Sequence, residues 1–589
     1  MTAAAAPAVA ASSPGAARVA APLGRWTLLL AIAITLLLSA AWTAKDWATL
    51  SLVWLPDNDD MVRIVQIRDW IAGQGFNDLL QHRSGMPGGA SMHWSRIADA
   101  VPALIVVLLT PLAGAHAAEV AAVIAWPALL FLAYLLLIAR IAGRLGGAEA
   151  RIPALILAAL AFPTISLFLP GRIDHHGLQI VLTIWLLDTV VAAPSFRQGL
   201  AGGFATALSL AIGLEAAPEI LAALAAMGIA WFAGGRGDDR RALGFAAALG
   251  GVTLALLAFA RPEVWPEQWC DGFTPASSRA TLVLAGAWGL LGLAGGRVQG
   301  WKPRLAVAAG LGAATAALAW RTSSVCLSGP YGALDPFLQR VWMRNVNEAN
   351  SLLQQDTLGT MVAYGGLVLP GAALALWHLA RDRRWQGYAV FLLLCAVASV
   401  LQVRVTYIVA GIAVVPFAAL LARDGSLVRR LALWTLGAGI GWNLAAAQLD
   451  AAFARPVLAA RAVQEKCLSP EGIAVIAAQP RGSVMAPLDL DSYLLAMTPH
   501  RVVASLYHRN NAGNMAMYRF FLSPPERARA QAGAEGIGYV ALCADQLHEN
   551  GLAPYRPGSL AERLQSGAPP PAWLEPIPTG SPIRLYRVR

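Results

Sequence analysis

Apolar runs separated by short polar breaks fill most of the chain, and few show the strict alternation of a half-buried strand. Runs of this kind predict membrane-crossing helices near 26–42, 119–139, 153–169, 177–193, 199–213, 217–234, 241–260, 280–296, 304–320, 358–380, 386–402, 405–422 and 430–448. Several fall short of the roughly 20 residues a bilayer needs, so their ends are soft. A further run, Val101–Ala113, holds Pro102 and Pro111 and either spans or lies against the outer face. The first run could also be a signal peptide cut near Ser39–Ala41. We read it as an uncleaved anchor, because the segment that follows carries candidate chemistry.

Charge decides the topology. With residue 1 inside and 101–113 not crossing, the inner loops collect Arg140, Arg144 and Arg151, then Arg197, then Arg236, Arg240 and Arg241. Further on they collect Arg297, Lys302 and Arg304, then Arg381, Arg383 and Arg384, then Arg423, Arg429 and Arg430. That obeys the positive-inside rule at every inner loop, and counting 101–113 as a span would invert it. The reading is a polytopic α-helical membrane protein of about 13 transmembrane helices, 26–448. A mixed α/β extracytoplasmic domain, 449–589, follows it, and residues 1–25 form a loose cytoplasmic tail. Segments 43–118 and 321–357 become long outer loops.

Composition agrees. Hydrophobic residues make up 57% of the chain and charged residues 13%, against about 25% charged in soluble domains. The last 141 residues hold 25 of the 78 charges, which marks them as the water-facing part. The net charge of +10 is accounted for by loop arginines. No basic run carries interleaved aromatics, so nucleic acid is excluded as a partner. Cys270, Cys326, Cys467 and Cys543 all fall outside, where two disulfides could form; the pairing of Cys270 with Cys326 and Cys467 with Cys543 stays open. Cys395 falls inside a span and reads as packing.

Ionisable residues gather on the outer side. The first outer loop carries Asp57, Asp59 and Asp60, followed by Arg63, Arg68 and Asp69. Three carboxylates so close suit a hard divalent cation such as Mg²⁺ or Mn²⁺. The same residues could instead cap a helix from Met61 to Ile71. Another outer loop holds Asp174, His175 and His176, which could complete a metal or phosphate site or anchor a helix end. Glu348 lies in the long loop, in Arg344-Asn345-Val346-Asn347-Glu348, and Arg404 with Tyr407 stands at the outer edge of a late span. Arg404 could pair with a phosphate oxygen or snorkel to lipid headgroups. Glu215 and Glu219, four residues apart at an outer turn, face the same side.

The order of these motifs resembles the catalytic subunit of oligosaccharyltransferases in its archaeal and bacterial single-subunit form, a GT-C glycosyltransferase family. The resemblance covers nearly the whole chain. Asp59 and Arg68 match an Asp and an Arg nine residues later in the family's first outer loop. Pro87-Gly88-Gly89 through His93-Trp94 looks like its Pro-Gly-rich stretch. Asp174-His175-His176 matches an Asp-His-His motif, Val346-Asn347-Glu348 resembles the external-loop Glu motif, and Arg404 maps onto the donor-holding Arg. The family's Trp-Trp-Asp acceptor motif is not kept: Val484-Met485-Ala486-Pro487-Leu488-Asp489 retains the Asp, here Asp489, and replaces both Trp.

The resemblance implies a polyprenyl-phosphate- or pyrophosphate-linked sugar donor, with its tail in the lipid bilayer. It implies Asp59, Asp174 and Glu348 as catalytic residues, a cation on Asp59, Asp174 and His176, and donor phosphate on Arg404, His175 and Tyr407. Asp57, Asp60, Arg68, Glu215 and Asp489 are secondary candidates. The altered acceptor motif leaves the acceptor open among protein, lipid and glycan. A GT-C transferase acting on envelope polysaccharide or lipid is the alternative within the class. A flippase or transporter of lipid-linked glycan is the alternative outside it, predicting midplane charge and internal repeats. A non-enzymatic assembly factor is a weaker third reading. The Ala, Gly and Arg content suggests a bacterial inner membrane.

Overall fold

The computed structural model describes residues 23–233, 235–259, 269–298, 300–329, 331–343, 346–423, 425–454, 467–543 and 556–589. Among these, eight helices are long and apolar enough to cross a membrane, and three shorter apolar helices cover Ala100–Ala113, His176–Val191 and Ala217–Ala233. The chain is a multi-pass helical membrane protein. The expected thirteen spans are not reproduced one for one.

The reasons are local. The interval 153–169 splits into a helix, Arg151–Ala158, and a 3₁₀ turn, Thr164–Phe168. Pro163 lies in the break, where it offers no backbone N–H and disfavours helix at the residue before it. The interval 430–448 splits into Leu427–Gly437 and Gly439–Phe453. Gly439 abuts the first break: a Cβ there would lie 2.5 Å from the Phe162 nitrogen. Ile440 N–H donates to the Leu160 carbonyl at 2.8 Å. The two interrupted helices therefore lock into each other. The expected boundary at 449 falls inside the helix Gly439–Phe453.

The longest helix, Ala115–Gly146, extends well past the expected 119–139. The first helix, Arg25–Lys45, presents Thr27, Ala31, Thr35 and Ser39 as a buried stripe four residues apart and packs on it. Small residues at that spacing allow close approach. The helix Thr406–Leu421 occupies the centre of the bundle, with nearly every side chain buried. Run 101–113 forms the helix Ala100–Ala113, packed on Ala115–Gly146.

A two-stranded ribbon, β1 (Leu80–Gln81) and β2 (Ala90–Ser91), lies between the helices Asn58–Ile71 and Ala100–Ala113. The C-terminal region holds β3 (Ser483–Met485), β4 (Arg501–Val502), β5 (Ile537–Leu542), β6 (Leu574–Ile577) and β7 (Arg584–Val588). They form one mixed sheet in the order β4-β3-β5-β7-β6. β3 runs parallel to β4 and β5, while β7 is antiparallel to β5 and β6. Its core includes Met485, Leu488, Met517 and Phe521, so much of segment 484–489 lies in packed interior.

This region seats on segment 43–118. Arg83 donates to the carbonyls of Leu495 and Thr498 at 2.8 and 2.9 Å. Tyr493 and Trp54 rings lie 4.5 Å apart. Both open disulfides are formed, Cys270–Cys326 and Cys467–Cys543, and Cys395 is a buried free thiol.

Candidate functional site

A helix opening and a reverse loop create the acidic wall. Asp57 caps the helix Asn58–Ile71 by accepting from Asp59 N–H at 3.1 Å. Capping puts the next two carboxylates on the first turn, where they part ways. Asp60 turns inward and accepts the N–H groups of both Ile173 and Asp174 at 2.8 Å. That contact carries loop 171–176 onto the helix end. Asp59 faces outward, onto a cavity of 470 Å³.

Asp59, Asp174 and His176 meet there, with one ligand-type atom from each lying within 4.8 Å of the others. Arg172 stitches the wall from behind, 2.8 Å from Asp57, 3.2 Å from Asp60 and 2.7 Å from Asp174. Burial alone would raise the Asp174 pKa, but Arg172 and the two neighbouring imidazoles hold it well below the usual carboxylate range. Burial, and then the like charges of Asp57, Asp174 and Glu348, push Asp59 well above that range. The Tyr507 hydroxyl donates to Asp59 at 3.0 Å and partly opposes the rise.

The trio fits a divalent cation. His176 Nδ1 is buried without a hydrogen-bond partner, an orphaned lone pair or N–H that ligation would satisfy. Two carboxylates and one imidazole make a mixed oxygen and nitrogen donor set of the kind divalent metals accept. Asp57 and Asp60, secondary candidates from the sequence, are instead spent on the helix cap, Arg172 and the backbone.

A second wall of the cavity carries Arg404 and Glu348, which form a direct ion pair. Each sits on a 3₁₀ turn, Val403–Val405 and Asn347–Ala349, and Val403 N–H donates to the Asn350 carbonyl at 2.9 Å between them. Tyr407 lines the same cavity one turn on. Arg344 and Asn345 lie outside the described residues.

His175 and Glu215 form the floor. The His175 ring is 1% exposed, with Nδ1 3.3 Å from Arg63 and Nε2 3.3 Å from Glu215. Burial, together with the positive neighbours His176 and Arg63, lowers its pKa to about 4 against the pull of Glu215. It is therefore a neutral imidazole near pH 7, poorly suited to hold phosphate by charge. Glu215 is kept ionised by His175, His93 and Arg404 despite burial. Glu219 lies one turn deeper, fully buried, next to a small cleft shared with His176 and Arg404.

Two sequence candidates stand apart. Arg68 forms a two-pronged salt bridge to Glu119, both contacts at 2.8 Å, and donates to the Ala496 carbonyl at 3.0 Å. It braces the outer helix and does not line the cavity. Asp489 opens the helix Leu488–Met497, also off the cavity wall.

The lining residues Arg172, Tyr331, Tyr507 and His508 were not among the sequence candidates, and His93 and Trp94 entered only as the end of the Pro-Gly-rich stretch. Arg172 adjoins a motif that was singled out, so it was within reach. Tyr507 and His508 come from the C-terminal domain, hundreds of residues from the other ligands, and no spacing rule connects them.

No protein-family model matches the chain, and no curated relative matches it in sequence. Solved structures do. The archaeal oligosaccharyltransferase AglB from Archaeoglobus fulgidus, in complex with an inhibitory peptide and a dolichol-phosphate, superposes with a TM-score of 0.64 at 15% identity. The match covers 94% of this chain and 73% of that one. The Archaeoglobus fulgidus oligosaccharyltransferase in complex with Zn and sulfate gives 0.60 at 15% identity, covering 91% and 70%. The chain thus shares the membrane fold of these proteins.

Proposed function

We propose that the chain is a membrane glycosyltransferase that moves a sugar or glycan from a polyprenyl-phosphate or polyprenyl-pyrophosphate carrier to an acceptor at the outer face of a bacterial inner membrane. The observation that carries this reading is the 470 Å³ cavity with Asp59, Asp174 and His176 on one wall and Arg404 on the other. The folded relatives support it: one is in complex with a dolichol-phosphate and another with Zn and sulfate.

Asp59, Asp174 and His176 would hold a divalent cation. When bound, that cation supplies positive charge to the departing phosphate. Arg404 binds a phosphate oxygen from the other side, and Tyr407 donates beside it. Glu348 gives up Arg404 to the phosphate and turns to the acceptor. Arg172 keeps Asp174 ionised, and His175 orients Glu215 on the floor. Charges set at the rim, rather than along a midplane pathway, favour this chemistry over transport.

The test uses the full chain in lipid nanodiscs with lipid-linked glycans extracted from the source membranes and added Mn²⁺. Glycan should leave its carrier, EDTA should stop the reaction, and Asp174→Asn should abolish it. An intact, folded protein that leaves the extracted donor uncleaved with and without Mn²⁺ would refute the reading.

A further inference from the structure

One pair of side chains on the cavity wall plays no part in holding the donor. Loop 505–510 of the C-terminal domain reaches over the membrane domain and brings two consecutive residues to the cavity. Tyr507 contacts Asp59, as above. His508 places Nε2 2.5 Å from Asp271 Oδ2. Asp271 follows Cys270, whose disulfide to Cys326 ties this loop to the segment that also carries Tyr331.

The imidazole is held rigidly. Trp269 and Tyr331 meet its ring edge-on at 5.4 and 5.2 Å, and the His93 ring lies 4.9 Å away. Asp271 is itself fixed by Arg509, through contacts of 2.8 and 2.5 Å. A buried carboxylate on Nε2 assigns the proton to that nitrogen and leaves the Nδ1 lone pair free. The ring lines two adjoining cavities of 470 Å³ each, the one described and a second, more apolar one beside Leu210, Leu214 and Leu284. Arg509 alone would satisfy Asp271 and join the two domains. Joining them does not require an oriented imidazole at the cavity surface.

We propose that His508, oriented by Asp271, is the general base that takes the proton from a hydroxyl acceptor, so that the bond made is O-glycosidic. This rests on the transferase reading above and adds the acceptor class to it. The acceptor oxygen forms a bond to the anomeric carbon as its O–H proton passes to His508 Nδ1. The bond from that carbon to the carrier phosphate oxygen breaks, and its electron pair leaves with the phosphate. The imidazolium then releases the proton to water. An aligned imidazole of this kind contributes about 100-fold or more.

The experiment offers the nanodisc protein, Mn²⁺ and extracted lipid-linked glycans two acceptors: glycerol, and an end-blocked peptide holding one asparagine and no hydroxyl side chain. Mass spectrometry reads the products. Glycosyl-glycerol is expected with the native chain. His508→Gln should lower its formation about 100-fold with donor KM little changed. Imidazole in the buffer should partly restore His508→Ala. Asp271→Asn, which keeps the shape and spoils the tautomer, provides a second variant if the His508 changes fail to fold. Transfer to the peptide alone, or glycosyl-glycerol from folded His508→Gln within about threefold of native, overturns the assignment. No donor cleavage with either acceptor or with water defeats the transferase reading, and this assignment with it.

Discussion

The two walls of the cavity are built on different plans. The Asp59–Asp174–His176 wall is locked from behind: Asp60 holds two backbone N–H groups of the neighbouring loop, and Arg172 spans three carboxylates. The Arg404–Glu348 wall is one ion pair between two 3₁₀ turns. The first wall is braced by contacts among its own carboxylates, Arg172 and the backbone. The second can trade partners, since a phosphate offers Arg404 what Glu348 offers it. In the proposed glycosyl transfer, an acidic cluster beside an exchangeable cation suits the departure of a carrier phosphate.

The largest break in this comparison is Arg172→Met. It leaves buried carboxylates without their countercharge, a loss of about 3–5 kcal/mol. The expected result is little folded protein by size exclusion and a sharp fall in melting temperature; near-native stability would deny the locked wall. Asp174→Asn should spare the fold, lower glycan release about 100-fold or more, and remove Mn²⁺ binding in titration calorimetry. Retained Mn²⁺ affinity would move the cation elsewhere.

The second wall should respond more mildly. A charged hydrogen bond is worth about 1.5–3 kcal/mol, so Arg404→Ala should raise donor KM by roughly 10- to 100-fold. Glu348→Gln should lower donor KM, because it frees Arg404, while lowering kcat; a rise in KM would show that the pair does not exchange. Smallest of all, Arg68→Ala should leave turnover within about threefold, since its salt bridge points to Glu119 and away from the cavity. A large loss there would restore Arg68 to the site.

Much of the site was legible in the chain. Asp59, Asp174, His176, Glu348 and Arg404 each lie beside an apolar run on the same side by charge parity, and all line one cavity. Helix breaks were less legible. Hydropathy averages over a window, so it passes smoothly across Pro163 and Gly439, where backbone chemistry ends the helix. Arg68 misled because it matches a family spacing, while its side chain has a closer partner in Glu119. Tyr507, His508 and Asp271 carried no signal, since each is ordinary in its own neighbourhood and gains meaning only from the others.

Hydropathy and arginine placement, read from the chain alone, determined that this is a many-helix membrane protein and pointed to clusters of ionisable residues beside several helix ends. Those properties follow from summed transfer energies and local charge, which need no partner to be read. The tertiary structure alone decided that Asp60 turns away from the cavity while Asp57 and Asp59 line it, that Arg404 pairs with Glu348, and that a loop from the far end of the chain completes the wall. Those outcomes depend on contacts between residues hundreds of positions apart, whose energies exist only once the chain has closed on itself.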